Sequence, residues 1–418
     1  MINPKKLPVC SESEIIPLID MSQVPVHCNV LWATREAALG APRGDIRLGY
    51  SPACGHTYNL AFDPSLMEYT QEYENSLHFS PHFQAYATAL ADGLVEKYAL
   101  RDKDIVEIGA GKGDFLIMLC EMRGNRGWGY DPSYVPDDGY TSPNVTFIQD
   151  FYTEKYLSQR ADLIVCRHVL EHIPDPDAFI AQVRKAVGGQ QSVVFFEVPN
   201  ALWTLRRGGI WDIIYEHCSY FSPSSLAYLF RKHGFEVLAV NEVFGGQFLT
   251  IEARATADHR RPTTDENATD GQLPGRDDDG ISTLAAVSSR PLAVEDELTA
   301  LTTDARAFAE NYRARRDEWQ TRLRALEAAG QRGVIWGAGS KGVTFLNATG
   351  AGEEIVAVVD INPRKQGKYV AGTGQRIVAP TELSELRPDF VIIMNANYRE
   401  EIGRMLSEVG IEAEVLVA

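Results

Sequence analysis

Ile105-Val106-Glu107-Ile108-Gly109-Ala110-Gly111-Lys112-Gly113-Asp114 reads as a buried strand, a glycine-rich turn and the start of a helix. Asp131 stands 18 positions after Gly113, at the end of a second short strand, Gly127-Trp128-Gly129-Tyr130. The glycines let the backbone come close to a ligand, and a carboxylate at the next strand tip accepts hydrogen bonds from ribose hydroxyls. The arrangement is one that holds a nucleoside.

The glycine spacing separates this turn from a dinucleotide fingerprint. Gly109, Gly111 and Gly113 follow G-x-G-x-G rather than G-x-G-x-x-G, and Glu107 stands two positions before the first glycine. A carboxylate there repels a pyrophosphate and tolerates a cation such as S-adenosylmethionine. On this E-x-G-x-G-x-G pattern the chain resembles the class I methyltransferases, and a turn without a ligand is the alternative.

Further strands continue the pattern in order. Val145 to Asp150 is a short strand ending in an acid, with Phe151 next to it. In the resembling family Asp150 meets the adenine amine and Phe151 the ring. Asp162 to Cys166 is the next buried strand, leading into Arg167-His168-Val169-Leu170-Glu171-His172-Ile173-Pro174, with His168 at the cofactor side. Ser192 to Pro199 follows as another strand. Strands alternating with amphipathic helices predict an α/β fold with a mostly parallel, doubly wound sheet. Ligands of such sheets lie beyond the carboxyl ends of the strands, where these motif residues fall.

Length and composition set the outer bounds. A chain of 418 residues holds two to three domains, and 44% hydrophobic content is ordinary for a globular protein. No run of about 18 apolar residues predicts a membrane span, and no apolar signal core follows Met1-Ile2-Asn3-Pro4-Lys5-Lys6. A cytoplasmic protein is expected, as a monomer or homodimer. The net charge of −17, without a basic stripe, disfavours nucleic acid as a partner and leaves room for a small-molecule substrate.

Six cysteines in such a chain are expected to stay reduced. Three lie early: Cys10, Cys28 and Cys54. A zinc knuckle normally shows C-x-x-C twice. Here Ser13 stands three after Cys10, and Ser51 three before Cys54. Two readings stay open. Cys10, Cys28 and Cys54 with His56 (or His27) hold a structural zinc, or they are ordinary cysteines of a module that has lost its metal.

The chain divides into a small cysteine-bearing module of zinc type over 1–65, a methyltransferase-like domain over 66–258, linker and helices over 259–330, and a Rossmann-like unit over 331–418. A helical pattern runs from Tyr69 to Tyr98, with Pro81 suited to a first helical turn. Arg260 to Arg276 reads as a linker, and Leu292 to Ala329 as one or two long helices. A second glycine turn, Gly337-Ala338-Gly339-Ser340-Lys341-Gly342, follows a strand and opens a helix, with Asp360 ending the next strand. It either binds a nucleotide phosphate with Asp360 on a ribose, as in a redox protein, or serves as a scaffold that helps hold substrate.

The remaining chemistry is concentrated in Trp211-Asp212-Ile213-Ile214-Tyr215-Glu216-His217-Cys218-Ser219-Tyr220. A Glu beside a His offers an acid and a base, or a structural pair that satisfies itself. Methyl transfer itself requires the methyl carbon in line between sulfur and nucleophile, and a carbon nucleophile also needs a proton removed.

This order of a cysteine-bearing module, a methyltransferase core with a Glu-His segment, and a C-terminal Rossmann-like unit resembles the three-part C-methyltransferases of nucleotide-linked keto-deoxysugars in antibiotic biosynthesis. The resemblance implies S-adenosylmethionine as cofactor, a structural zinc, and a C-terminal unit that helps hold the nucleotide-sugar. It also implies proton removal beside the ketone to give an enolate. His172 matches the family's first histidine, and Glu216 and His217 its Glu-His pair. His217 is then the general base, with His172 and Glu216 orienting, and Tyr215 beside them. The family's tyrosine lies two before the Glu, where this chain has Ile214. Asn200 and Tyr220 are expected at the substrate. Tyr69 and Tyr73 close over the site or simply pack as a helix. An O- or N-methyltransferase of another small metabolite is the other reading.

Overall fold

The computed structural model describes residues 8–10, 14–67, 73–121, 123–135, 142–187, 189, 191–256 and 294–418. Tyr69 and the expected linker at 260–276 lie outside the described residues.

The N-terminal module is a small antiparallel sheet. Strand β1 (Ile16–Pro25) is followed by the short helix α1 (Arg35–Leu39), then β2 (Arg43–Ser51) and β3 (His56–Asn59) pair in sequence. Helix α2 (Pro81–Lys97) opens the methyltransferase part. It begins at Pro81 rather than near Tyr69, because Ser80 caps it by accepting from Phe83 N, and proline fits the first turn.

The central sheet follows. In chain order come β4 (Asp104–Ile108), α3 (Asp114–Glu121), β5 (Arg126–Tyr130), β6 (Val145–Ile148), β7 (Leu163–Arg167), α4 (Pro176–Ala186), β8 (Val193–Pro199) and α5 (Ala201–Arg207). Then β9 (Ser219–Tyr220), α6 (Pro223–Lys232), β10 (Phe235–Val243) and β11 (Phe248–Ala255) complete the domain. The seven-stranded sheet runs β10-β11-β8-β7-β4-β5-β6, with β11 antiparallel to both its neighbours and the rest parallel. The order reverses between β4 and β7, which opens a crevice at their carboxyl ends. Strands β4, β7 and β8 are buried on both faces, which is why they read as unbroken apolar runs.

Strand β9 does not join this sheet. It pairs with β3, through Thr57 with Tyr220 and Tyr58 with Ser219. The Glu-His segment just before it is therefore fastened to the N-terminal module.

Helix α7 (Val294–Ala328) spans 35 residues. Leu301, Ala305, Phe308, Tyr312, Trp319 and Leu323 recur at steps of three, four and seven and form one buried stripe. That stripe belongs to a core shared by the N-terminal module, the Glu-His segment and the C-terminal sheet. The C-terminal unit contains β12 (Gly333–Trp336), α8 (Ser340–Thr349), β13 (Ile355–Val359), β14 (Ile377–Val378), α9 (Leu383–Leu386), β15 (Phe390–Ile393), α10 (Arg399–Glu408) and β16 (Glu414–Val417). Its five strands are all parallel, in the order β14-β13-β12-β15-β16. Among the described residues no helix is long and apolar enough to cross a membrane.

The cysteines depart from expectation. Cys10 and Cys54 are joined by a disulfide, with their Cα atoms 6.6 Å apart. Cys28 is buried in a different core cluster from that pair, and His56 packs its ring 4.9 Å from that of Phe221. Among the described residues, Cys10, Cys28, Cys54 and His56 do not gather as one set of metal ligands.

Candidate active site

The first glycine turn has the geometry of a nucleoside cradle. Gly109, Gly111 and Gly113 adopt φ of 72°, 56° and 90°. A Cβ on Gly109 would lie 2.1 Å from Val169 Cγ2, and one on Gly113 2.2 Å from Phe147 Cζ, so these two glycines serve packing. A Cβ on Gly111 would meet nothing within 4 Å. That side of the turn is open to a ligand. Asp131 accepts from Gly111 N at 2.8 Å and, through its other oxygen, from Ser133 N at 2.8 Å. Its carboxylate thus stands at the rim of the turn. Asp150 accepts from the Tyr156 hydroxyl at 2.6 Å, and Phe151 is 59% exposed beside it.

Glu107 lies beneath the turn, 3% exposed, and its Oε2 has no hydrogen-bond partner. Burial pushes its carboxyl up to about 8, with Arg167 opposing. At that value the carboxyl is mostly protonated without a ligand, and a cation over the open turn would draw it back to its charged form. The residues present therefore fit S-adenosylmethionine.

A second charged cluster supports the adjacent wall. Glu197, fully buried on β8, contacts Arg167 at 3.2 Å and His168 Nε2 at 2.6 Å, and accepts from the Tyr86 hydroxyl at 2.8 Å. Burial works against its charge, yet Arg167 and His168 hold it down to about 2. The same partnership outweighs burial at His168 and raises it to about 9, so this histidine is a cation. His168 has φ of 55°, unusual for a non-glycine residue. Glu197 was not foreseen as a site residue. The signal was present: one acid within Val193-Val194-Phe195-Phe196-Glu197-Val198, a strand otherwise wholly apolar.

Beyond His168 lies a cavity of about 330 Å³ between the central and C-terminal units. Its walls include Tyr73, Glu171, His172, Glu216, His217 and Tyr220 on one side, and Gly337, Gly339, Lys341, Asp360 and Lys365 on the other. Most of the expected catalytic residues are brought together here. The His172 and His217 rings lie 4.8 Å apart, edge to face. His172 Nδ1 is 2.9 Å from the Glu216 carbonyl oxygen. Burial, and next the neighbouring His172, push His217 down to about 3, so its imidazole is neutral and keeps a lone pair. Glu171 holds a negative charge beside both rings: burial opposes its ionisation, but His168, His172 and His217 favour it.

Glu216 is fully buried and works as a joint. Its Oε1 accepts from Cys28 N at 2.7 Å, and its Oε2 from the Tyr73 hydroxyl at 3.0 Å. Replacing it with alanine takes the acceptor from the buried Cys28 N–H, at about 1–3 kcal/mol, and the carboxylate from the Tyr73 hydroxyl. Chemical denaturation of Glu216→Ala should show a loss of that size, with Glu216→Gln in between. A Glu216→Ala protein as stable as the parent would remove the carboxylate from this role.

Three expected residues have other duties. The Tyr215 hydroxyl bonds the backbone N and O of Asp63, at 2.9 and 3.3 Å, and its ring packs near Phe62. It is held at Asp63 and Phe62 of the N-terminal module and does not line the cavity. Asn200 caps α5 and bonds the Gly246 carbonyl, away from the cavity. Tyr220 does line the cavity, but its hydroxyl is taken by the backbone of Ile214.

The second glycine turn faces the same cavity. Gly342 is required for packing, since a Cβ there would lie 2.1 Å from Gly337 O. Asp360 accepts from Ala338 N at 2.9 Å, bracing the turn. Lys341 bridges to Asp212 on the central unit at 3.0 Å. Gln247 and Asn395 exchange two amide hydrogen bonds, at 2.9 and 3.1 Å, across the same boundary.

Comparison with known proteins agrees with this layout. The family described as a methyltransferase domain matches residues 83–240, and the C-methyltransferase C-terminal domain matches residues 285–416. The C-methyltransferase NovU of Streptomyces niveus is 30% identical over 326 residues, covering 75% of this chain and 71% of that protein. Two solved structures are similar over part of the chain. Magnesium protoporphyrin IX methyltransferase from Synechocystis PCC 6803, with bound SAH, is 16% identical over 42% of this chain and 84% of its own, at a TM-score of 0.33. A SAM-dependent methyltransferase from Aquifex aeolicus is 14% identical over 40% of this chain and 89% of its own, at a TM-score of 0.31.

Proposed function

Because the chain belongs to the S-adenosylmethionine-dependent C-methyltransferases, we propose that it methylates a carbon beside the ketone of a nucleotide-linked keto-deoxysugar, in natural-product biosynthesis. The observation that carries this reading is the shared cavity. One wall bears the neutral His217 imidazole with His172 and Glu171, and the facing wall bears the second glycine turn with Lys341, Lys365 and Asp360.

S-adenosylmethionine, when bound at Gly111 and Asp131, supplies an electrophilic methyl group on sulfur. His217 takes the proton from the sugar carbon, and Glu171 offsets the charge that His217 gains. His172, oriented by the Glu216 carbonyl, positions the sugar. The backbone N–H groups at the start of α8 and the two lysines suit a diphosphate. The interdomain contacts through Gln247, Asn395, Lys341 and Asp212 hold the two walls of the cavity together.

The test is incubation with S-adenosylmethionine and a panel of thymidine-diphosphate keto-sugars, followed by mass spectrometry and fragmentation. The expected product gains one methylene on a ring carbon. The protein alone should also exchange the hydrogen beside the ketone with deuterium from solvent. Methylation confined to hydroxyl or amine acceptors, with no such exchange, would move the assignment to an O- or N-methyltransferase.

A further inference from the structure

We propose that Glu171, His172 and His217 form a two-histidine, one-carboxylate site for a divalent transition cation of the zinc, cobalt or nickel class. Each residue offers one ligand atom, and the three atoms lie within 4.8 Å of one another. Among the described residues no other three His, Cys, Asp or Glu side chains converge in this way. Ligand atoms about 2.1 Å from a tetrahedral metal stand about 3.4 Å apart, so shifts of about 1 Å would complete the site.

Two independent observations point to a cation. Glu171 is 1% exposed, and its Oε2 has no hydrogen-bond partner. The His168 cation stands 3.7 Å from the other Glu171 oxygen, which leaves Oε2 as a buried carboxylate oxygen that is costly unless something positive meets it. Second, His172 Nδ1 faces the Glu216 carbonyl oxygen at 2.9 Å, and a carbonyl can only accept. The ring proton is therefore on Nδ1 and the lone pair on Nε2. A backbone carbonyl behind the distal ring nitrogen is the usual outer support of a metal-binding histidine. The adjoining cavity leaves space for a further ligand. Two imidazoles and one carboxylate favour zinc, cobalt or nickel over magnesium or calcium.

Such a cation would occupy the lone pair of His217, so loading the site would block proton removal. This consequence rests on the reading of His217 as base. The site itself does not.

The test uses the full chain, stripped with a chelator and titrated with Co²⁺ under visible absorption. A saturable d–d band at one equivalent, without a thiolate charge-transfer band, is expected. Glu171→Gln and His217→Ala should each weaken binding by at least about tenfold. Retained S-adenosylmethionine binding will verify that each variant is folded, and His172→Asn replaces any that is not. Absence of a d–d band, a thiolate band, or equal affinity in the folded variants would overturn the proposal. Zn²⁺ should also suppress solvent deuterium exchange into the keto-sugar. If no acceptor reacts with any form of the protein, the cobalt titration still decides the site.

Discussion

His217→Ala is expected to lower kcat for methyl transfer by about 10²–10⁴-fold, the usual contribution of a positioned base, with S-adenosylmethionine affinity nearly unchanged. The ring lies in the acceptor cavity and is neutral. Its proton-accepting role has a ready counter-charge in Glu171, which stays ionised beside it. The cofactor turn is formed by different residues, since none of Gly109, Gly111, Gly113 and Asp131 lines that cavity. Turnover and cofactor binding should therefore separate. Calorimetry with the cofactor, run beside the deuterium-exchange assay, reads both. Full exchange and turnover in the variant would remove His217 from the reaction. Joint loss of turnover and cofactor binding would indicate a folding defect, which the bulkier His217→Gln avoids.

Gly111→Val should abolish cofactor binding, by about 100-fold or more, at a smaller cost to folding. The backbone at Gly111 has φ of 56°, where a side chain costs about 1–2 kcal/mol. The added carbons would project into the open side of the turn, the space that a nucleoside needs. The contrasting variant is Gly109→Ala. Its Cβ would strike Val169 at 2.1 Å, so the damage falls on the strand-to-helix packing and appears in thermal melts. Cofactor affinity that is equal in Gly111→Val and the parent would dissociate the turn from the ligand.

The cofactor half was legible in the sequence because it is local. Strand, glycine turn and acidic strand tip all lie between Ile105 and Asp131, and each follows from short-range geometry. The second glycine turn was legible for the same reason. The acceptor half was only partly so. Residues 214–217 were visible as a cluster, but which side chain meets Glu216 is decided by a contact 143 positions away, from Tyr73. Sequence adjacency favoured Tyr215, which the turn of the chain directs to Asp63 instead. The cysteines were expected to stay reduced, whereas folding joins Cys10 to Cys54, 44 positions on, a pairing that spacing does not reveal. Glu171 was quoted only as the neighbour of His172. Its significance depends on burial among three histidines, which no spacing reveals.

The pairing of β9 with β3 has an evolutionary corollary. The loop bearing Glu216 and His217 is held in place by a strand from the first sixty residues, and the opposite side of the pocket comes from the last ninety. These pieces are not interchangeable cassettes. A chimera that imports one segment from a cousin would inherit a mismatched seam, whereas new acceptor preferences can arise by single replacements along the pocket walls.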